Sequence, residues 1–360
     1  MALRELDGYD AGRRAFLALI ASLPRATAGD PFGRERRARP AAVREALAGW
    51  VPRAAFVLAA SARGLLAGDA AELCARLFPS QSELAGLGPV RAALDELRRS
   101  VPESSFGSFE PELLGSVYEG TIGTGIAVAG EATAILRPRR RAGDATCEVA
   151  LDLHELCAVR GGQRAERLAA LGVELEAAAL RKLARAGDAA ELGTLLVESR
   201  RARARLPVAG TVTALLTVDR RRSGSHYTPR LLAERVVCAT LEPLLGPDPT
   251  PDSILALRIC DPAMGTGAFL LAACRFLAEK LQAAAARVGT PLPASEAHRT
   301  VAERCLYGVD RDRAAIDVAK LALWLVTGDG SLSLDRFAPV LVRGEALLGA
   351  PPIESRAARE

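Results

Sequence analysis

The chain has 360 residues, a length that corresponds as a soft prior to about two domains. Hydrophobic residues make up 49% and charged residues 25%, which excludes a disordered tail, a collagen-like repeat and a disulfide-stapled mini-protein. The net charge is +4, and of the 47 basic residues only Lys182, Lys280 and Lys320 are lysine. Arginine pairs bidentately with phosphate, but an alanine-rich, lysine-poor chain reads as coding bias for most of these positions. The seven cysteines (Cys74, Cys147, Cys157, Cys238, Cys260, Cys274 and Cys305) form no C-x-x-C pair. They suggest reduced thiols of a cytoplasmic protein rather than a disulfide frame or a zinc site. His154, His226 and His298 are dispersed and point to no metal cluster. No stretch approaches the roughly 20 apolar residues of a membrane span, so no membrane partner is expected.

Arg13-Arg14 followed by Ala15 to Leu23 has a faint export-signal look. Glu5, Asp7 and Asp10 stand where such a signal is positive, and Phe16, Ile20 and Leu23 suit an amphipathic helix, which is the reading adopted. Helical faces continue through Leu66, Leu73, Leu77 and through Val90, Leu94, Leu97. Breaks fall between Gly29 and Pro40, at Gly64, at Gly86 to Pro89 and at Pro102. Residues 1–105 are therefore expected to be a helical region. Thr121 to Leu136, a basic turn from Arg137 to Asp144, and Cys147 to Leu153 predict a β-hairpin. Helix returns over 160–205 and ends in an arginine cluster, so 106–215 reads as a helical and β-hairpin connecting region. The basic segments 137–141 and 200–205 suit phosphate contact and solvated surface about equally.

From about 216 the pattern becomes α/β. Thr228-Pro229 is expected to cap a helix with proline at its first position, with Leu232, Val236 and Leu241 along it and Gly246-Pro247 stopping it. Ile254 to Cys260, Leu306 to Val309 and Val340 to Val342 read as strands. Thr266 to Val288 and Ala314 to Val326 read as helices between them. This alternation predicts a parallel sheet of doubly wound type over 216–360.

The first strand runs into Asp261-Pro262-Ala263-Met264-Gly265-Thr266-Gly267-Ala268-Phe269-Leu270. Ligands of open parallel sheets bind outside the carboxyl ends of the strands, and the two glycines let the backbone turn tightly there. On the glycines alone, a tight strand-to-helix turn without a ligand is as good a reading. A dinucleotide fingerprint requires a small residue where Leu270 stands. Asp261 also opposes a diphosphate and suits a cationic ligand, since like charges at that range repel. S-adenosylmethionine, with an ammonium and a sulfonium, fits this charge logic better than NAD. Asp310 at the second strand tip can accept both hydroxyls of a ribose, and Glu345 at the third can receive an adenine amino group.

Three segments in this order, "SGSHYTP" (Ser223 to Pro229), "DPAMGTGAFL" (Asp261 to Leu270) and "LYGVDRDRAAIDVAKLALWL" (Leu306 to Leu325), closely resemble the cofactor half of adenine-specific DNA methyltransferases. The likeness is to the type IIG restriction–modification enzymes and the related phage-exclusion methylases, and "ELLGSVYE" (Glu112 to Glu119) resembles the segment preceding their catalytic domain. The resemblance implies a partial, Rossmann-like S-adenosylmethionine-dependent methyltransferase domain and a cytoplasmic protein. It places His226, Tyr227 and Thr228 beside the methionine end of the cofactor and Asp261 on its ammonium. Ala263, Gly265 and Gly267 belong to the contacting loop. Phe269 lies near the adenine and Asp310 on the ribose. Glu345 stands where the family usually has the aspartate of "GDSL".

In this family the target base is flipped out of double-stranded DNA and held by an N/D/S-P-P-Y/F loop. The chain has no asparagine, and its single Pro-Pro, Pro351-Pro352, lies between Ala350 and Ile353. The expectation is therefore the N-terminal, cofactor-binding portion of a DNA adenine-N6 methyltransferase, without a catalytic residue of its own, inactive until a second polypeptide supplies the loop. A non-catalytic cofactor-binding subunit or scaffold of a defence complex, and the remnant of an interrupted gene, are the alternatives.

Overall fold

A computed structural model describes residues 2–21, 40–78, 87–100, 110–122, 124–138, 148–199, 202–216 and 228–347. The N-terminal region is helical, as expected: Ala2–Ala21, Pro40–Ala62, Ala70–Leu77 and Leu87–Ser100. The predicted faces point inward. Phe16, Ile20, Leu73, Val90, Leu94 and Leu97 are all buried, and Leu66 and Leu77 are partly so. Leu23 lies outside the described residues.

Every residue from Val51 to Ala60 in the second helix is buried, which fits a segment apolar on nearly all sides. The exception in chemistry is Arg53, which donates to Asp317 at 2.8 Å and to the Gly49 carbonyl at 2.9 Å. Phe56 meets Trp324 edge-to-face at 5.2 Å, and both rings are fully buried. One hydrophobic cluster accordingly runs from Ala11 through these helices to Leu341. At Gly12 a Cβ would lie 2.2 Å from the Val117 carbonyl oxygen, so glycine there permits close packing on the helix Leu113–Ile122.

A second cluster holds residues 134 to 202. Its helices are Leu153–Ala158, Gly161–Ala170, Ala177–Arg185 and Ala189–Glu198. Arg164 is buried among them and donates to four carbonyls, those of Val159, Leu183, Ala186 and Cys157. One guanidinium with five N–H groups thus satisfies acceptors that neighbouring helix ends leave open.

The two strands of the expected hairpin pair, with different bounds, and residues 139–147, most of the predicted basic turn, lie outside the described residues. The run Thr121 to Leu136 breaks into three parts. Thr121 and Ile122 finish a helix, Thr124–Val128 is strand β1, and Thr133–Leu136 is strand β2. The break lies at Gly130, whose N–H donates to Thr133 Oγ1 at 2.7 Å. β2 pairs antiparallel with β3, Val149–Asp152. β1 instead pairs with β4, Val212–Leu216, a strand with no local turn signal because its partner is remote in sequence.

The C-terminal sheet contains β5 (Ile259–Asp261), β6 (Leu306–Asp310) and β7 (Leu341–Arg343), parallel and in that order. The helices Ala268–Arg287 and Arg313–Thr327 connect these strands as expected, with a further helix, Ala294–Arg304, before β6. The strand predicted over Ile254 to Cys260 is shorter than its apolar run. Residues Pro251–Leu255 are a helical turn, fixed by a capping box between Thr250 and Ser253 with Pro251 behind the cap. Thr228 does not cap the next helix upstream. That helix is Arg230–Leu245, Pro229 occupies the cap position, and no side chain bonds its first N–H groups. It buries Ala233, Val237 and Leu241 and leaves Leu232 and Val236 exposed, one residue over from the expected face. Gly246 ends it at φ +69°, as predicted.

Candidate functional site

The carboxyl ends of β5 and β6 converge on the glycine turn. The Met264 N–H donates to the Val309 carbonyl at 3.0 Å, which fastens the turn across the sheet. The Gly265 N–H donates to Asp310 Oδ2 at 2.8 Å, and the Ala263 N–H to Asp261 Oδ1 at 3.1 Å. Gly265 and Gly267 have φ of +53° and +86°, a region L side chains rarely adopt. A Cβ on Gly265 would meet no atom within 4 Å, so the turn borders open space there. Gly267 opens the helix Ala268–Arg287 and lies 3.2 Å, by its absent Cβ, from Ala319.

Gly308 explains how the turn is seated. A Cβ there would fall 2.2 Å from Met264 Sδ, 2.8 Å from a Leu270 methyl and 2.9 Å from a Leu341 methyl. The middle of β6 must be bare for Met264, which is buried, to lie against the sheet.

The acids are unequal. Burial pushes the Asp261 carboxyl up from its ordinary range; the Ala263 N–H pulls it back, and the nearby Asp310 charge pushes it up again. A cationic group beside Asp261 would relieve both the burial and the repulsion. Asp310 is held by two backbone donors, Gly265 on one oxygen and Asp312 on the other, the latter at 2.8 Å. Each oxygen keeps a lone-pair direction for a further donor. The Gly344 N–H donates to the Asp310 carbonyl at 2.9 Å, which puts Glu345 two residues beyond β7 at the same end of the sheet.

Of the ten positions expected to contact a cofactor, Asp261, Ala263, Gly265, Gly267 and Asp310 are brought together by these bonds. Phe269 lies in the first turn of the helix that follows, partly buried against the main core. Thr228 is half-buried ahead of the helix Arg230–Leu245. His226 and Tyr227 lie outside the described residues. Sequence reasoning missed Met264 and Asp312, although the D-x-D spacing of Asp310 and Asp312 is visible in the chain.

Other candidates fall away on chemistry. Burial pushes the Cys74 and Cys274 thiols up to about 12, so neither supplies a thiolate near neutral pH. Arg205, from the second arginine cluster, is bound to the Ala214 carbonyl at 2.8 Å and to Glu148 at 3.2 Å. Among the described residues no group of three or more acidic, cysteine or histidine side chains is placed to hold a metal. A pocket of about 360 Å³ is lined by Glu242, Lys280 and Arg287 among others. Lys280 follows Gly267 by about 20 Å of helix at 1.5 Å per residue, so this pocket is far from the turn.

The fold and the turn together define an α/β chain whose acidic strand tips surround a glycine loop. The family model described as N-6 DNA Methylase matches residues 212–333, from β4 through β6 and the helix that follows. The match supports an N6 DNA methyltransferase family for that part of the chain and takes in every expected site residue but Glu345. No curated protein and no solved structure matches the chain. Among the described residues no helix is long and apolar enough to cross a membrane.

Proposed function

We propose that the chain is the S-adenosylmethionine-binding part of a DNA adenine-N6 methyltransferase from a restriction–modification or phage-defence system, with residues 216–360 as its partial Rossmann-like domain. The observation that carries this reading is the Asp261–Asp310 pair around the open side of Gly265, inside the segment that matches the N-6 DNA Methylase family. The residues fit the cofactor: a carboxylate raised by burial calls for a cation, and the bare glycine leaves room where a side chain would intrude.

When bound, S-adenosylmethionine supplies an electrophilic methyl group. Asp261 holds the ammonium, and the Gly265–Gly267 turn brings backbone against the methionine portion. Asp310 accepts the ribose hydroxyls on its free lone pairs, Phe269 borders the adenine, and Glu345 accepts from the adenine amino group. The substrate in this reading is double-stranded DNA. Residues 1–360 contain no N/D/S-P-P-Y/F loop to orient a flipped adenine, so this reading assigns that step to residues other than these 360.

Two assays test this. Calorimetry is expected to show saturable uptake of S-adenosylmethionine that Asp310→Ala weakens at least tenfold. Incubation of the chain alone with methyl-labelled cofactor and adenine-containing duplex is expected to leave the DNA unlabelled. Label in the DNA refutes the assignment of base positioning to residues other than 1–360.

A further inference from the structure

The helix Leu113–Ile122 reaches the glycine turn through an unbroken series of hydrogen bonds. Tyr118 is 5% exposed, and its hydroxyl donates to Asp312 Oδ2 at 2.7 Å. The other oxygen of Asp312 caps the helix Arg313–Thr327, accepting from Ala314 at 3.0 Å and Ala315 at 3.4 Å. The Asp312 N–H donates to Asp310 Oδ1, and Asp310 Oδ2 accepts from Gly265, both at 2.8 Å. Six residues earlier, Glu112 forms a two-point ion pair with Arg275 on the helix that starts at the turn, one arm of it 2.8 Å long. One short segment therefore grips both helices that leave the ends of β5 and β6.

We propose that Tyr118 is a positioning residue for the cofactor site. Its hydroxyl fixes Asp312, Asp312 fixes the rotamer of Asp310, and Asp310 fixes the amide of Gly265. The inference rests on the cofactor reading given above, because it assigns Asp310 to the ribose. It gives the ELLGSVYE segment a role in that site although the segment lies outside the residues matched to the family. The chemistry is that of a charge-assisted bond in a partly buried place: a phenol donating to a carboxylate is stronger than a neutral pair, and its geometry is transmitted through the acceptor.

The test is Tyr118→Phe, which keeps the ring in the core and removes only the hydroxyl. Glycine-selective ¹⁵N labelling follows the Gly265 amide in the ligand-free chain, and calorimetry follows S-adenosylmethionine. The expected result is at least fivefold faster exchange at Gly265, a three- to tenfold weaker affinity, and an otherwise unchanged amide spectrum. In an Asp312→Ala background the same substitution is expected to change neither quantity, since the intermediary is gone. Unchanged Gly265 exchange in Tyr118→Phe, or an equal effect with and without Asp312, overturns the proposal. If the wild-type chain takes up no S-adenosylmethionine, the cofactor reading fails, and Gly265 exchange still decides whether Tyr118 acts on the turn.

Discussion

Removing Arg275 should destabilise the fold more than removing Glu112, although the two are partners in one ion pair. The Glu112 side chain is 2% exposed and that of Arg275 24%. Arg275→Ala strands a carboxylate in the core, whereas Glu112→Ala leaves a guanidinium that already reaches water. Breaking a buried pair from the side that leaves a buried charge costs about 3–5 kcal/mol. Arg63 and Arg230 also act on Glu112 electrostatically and soften the loss. The expected cost of Arg275→Ala is therefore at the low end, about 3 kcal/mol, against about 1–2 kcal/mol for Glu112→Ala. Urea unfolding followed by circular dichroism at neutral pH reads both. The double variant should cost less than the sum of the two. Equal costs, or a larger cost for Glu112→Ala, would refute the burial argument.

Three further outcomes follow from the same geometry. Gly308→Ala places a methyl against Met264, Leu270 and Leu341, all flexible side-chain ends, so overpacking should cost about 1–3 kcal/mol by thermal melting and shift the Gly265 amide resonance. Asp317→Ala leaves the buried Arg53 without its carboxylate and should cost about 2–3 kcal/mol in urea, discounted because Asp317 is 32% exposed. Asp261 is raised above its ordinary value of 3.8 in the folded chain, so its charge opposes folding at neutral pH and that cost vanishes once pH falls below the unfolded value. Asp261→Asn should accordingly raise the melting temperature of the ligand-free chain at pH 7 and leave it unchanged at strongly acidic pH. Cofactor affinity of the wild type should fall as pH drops through the raised Asp261 value, and the variant should lose that dependence.

The helical faces, the three parallel strands and the turn were legible because each is written in local pattern: apolar spacing, a G-x-G between strand and helix, an acid after each strand. Ile254 to Cys260 misled because an apolar run does not reveal its period over so few residues, and the Thr250–Ser253 capping box decided for helix. β4 was invisible because its partner β1 lies far along the chain and no turn joins them. At the site, Asp261 and Asp310 could be placed by their strand ends. Their electrostatic coupling and the grip of Asp312 by Tyr118 could not, since both depend on distances across separate elements. The continuity of the N-terminal helices with the sheet-bearing region was equally hidden, because the Phe56–Trp324 and Arg53–Asp317 contacts have no sequence signature.

The most direct measurement titrates the folded chain with S-adenosylmethionine and, separately, with a nicotinamide dinucleotide. The sulfonium compound should bind at one site per chain, with affinity sharply reduced by either Asp261→Ala or Asp310→Ala, and the dinucleotide should give no heat. Tight dinucleotide binding beside indifference to the methyl donor would contradict the account.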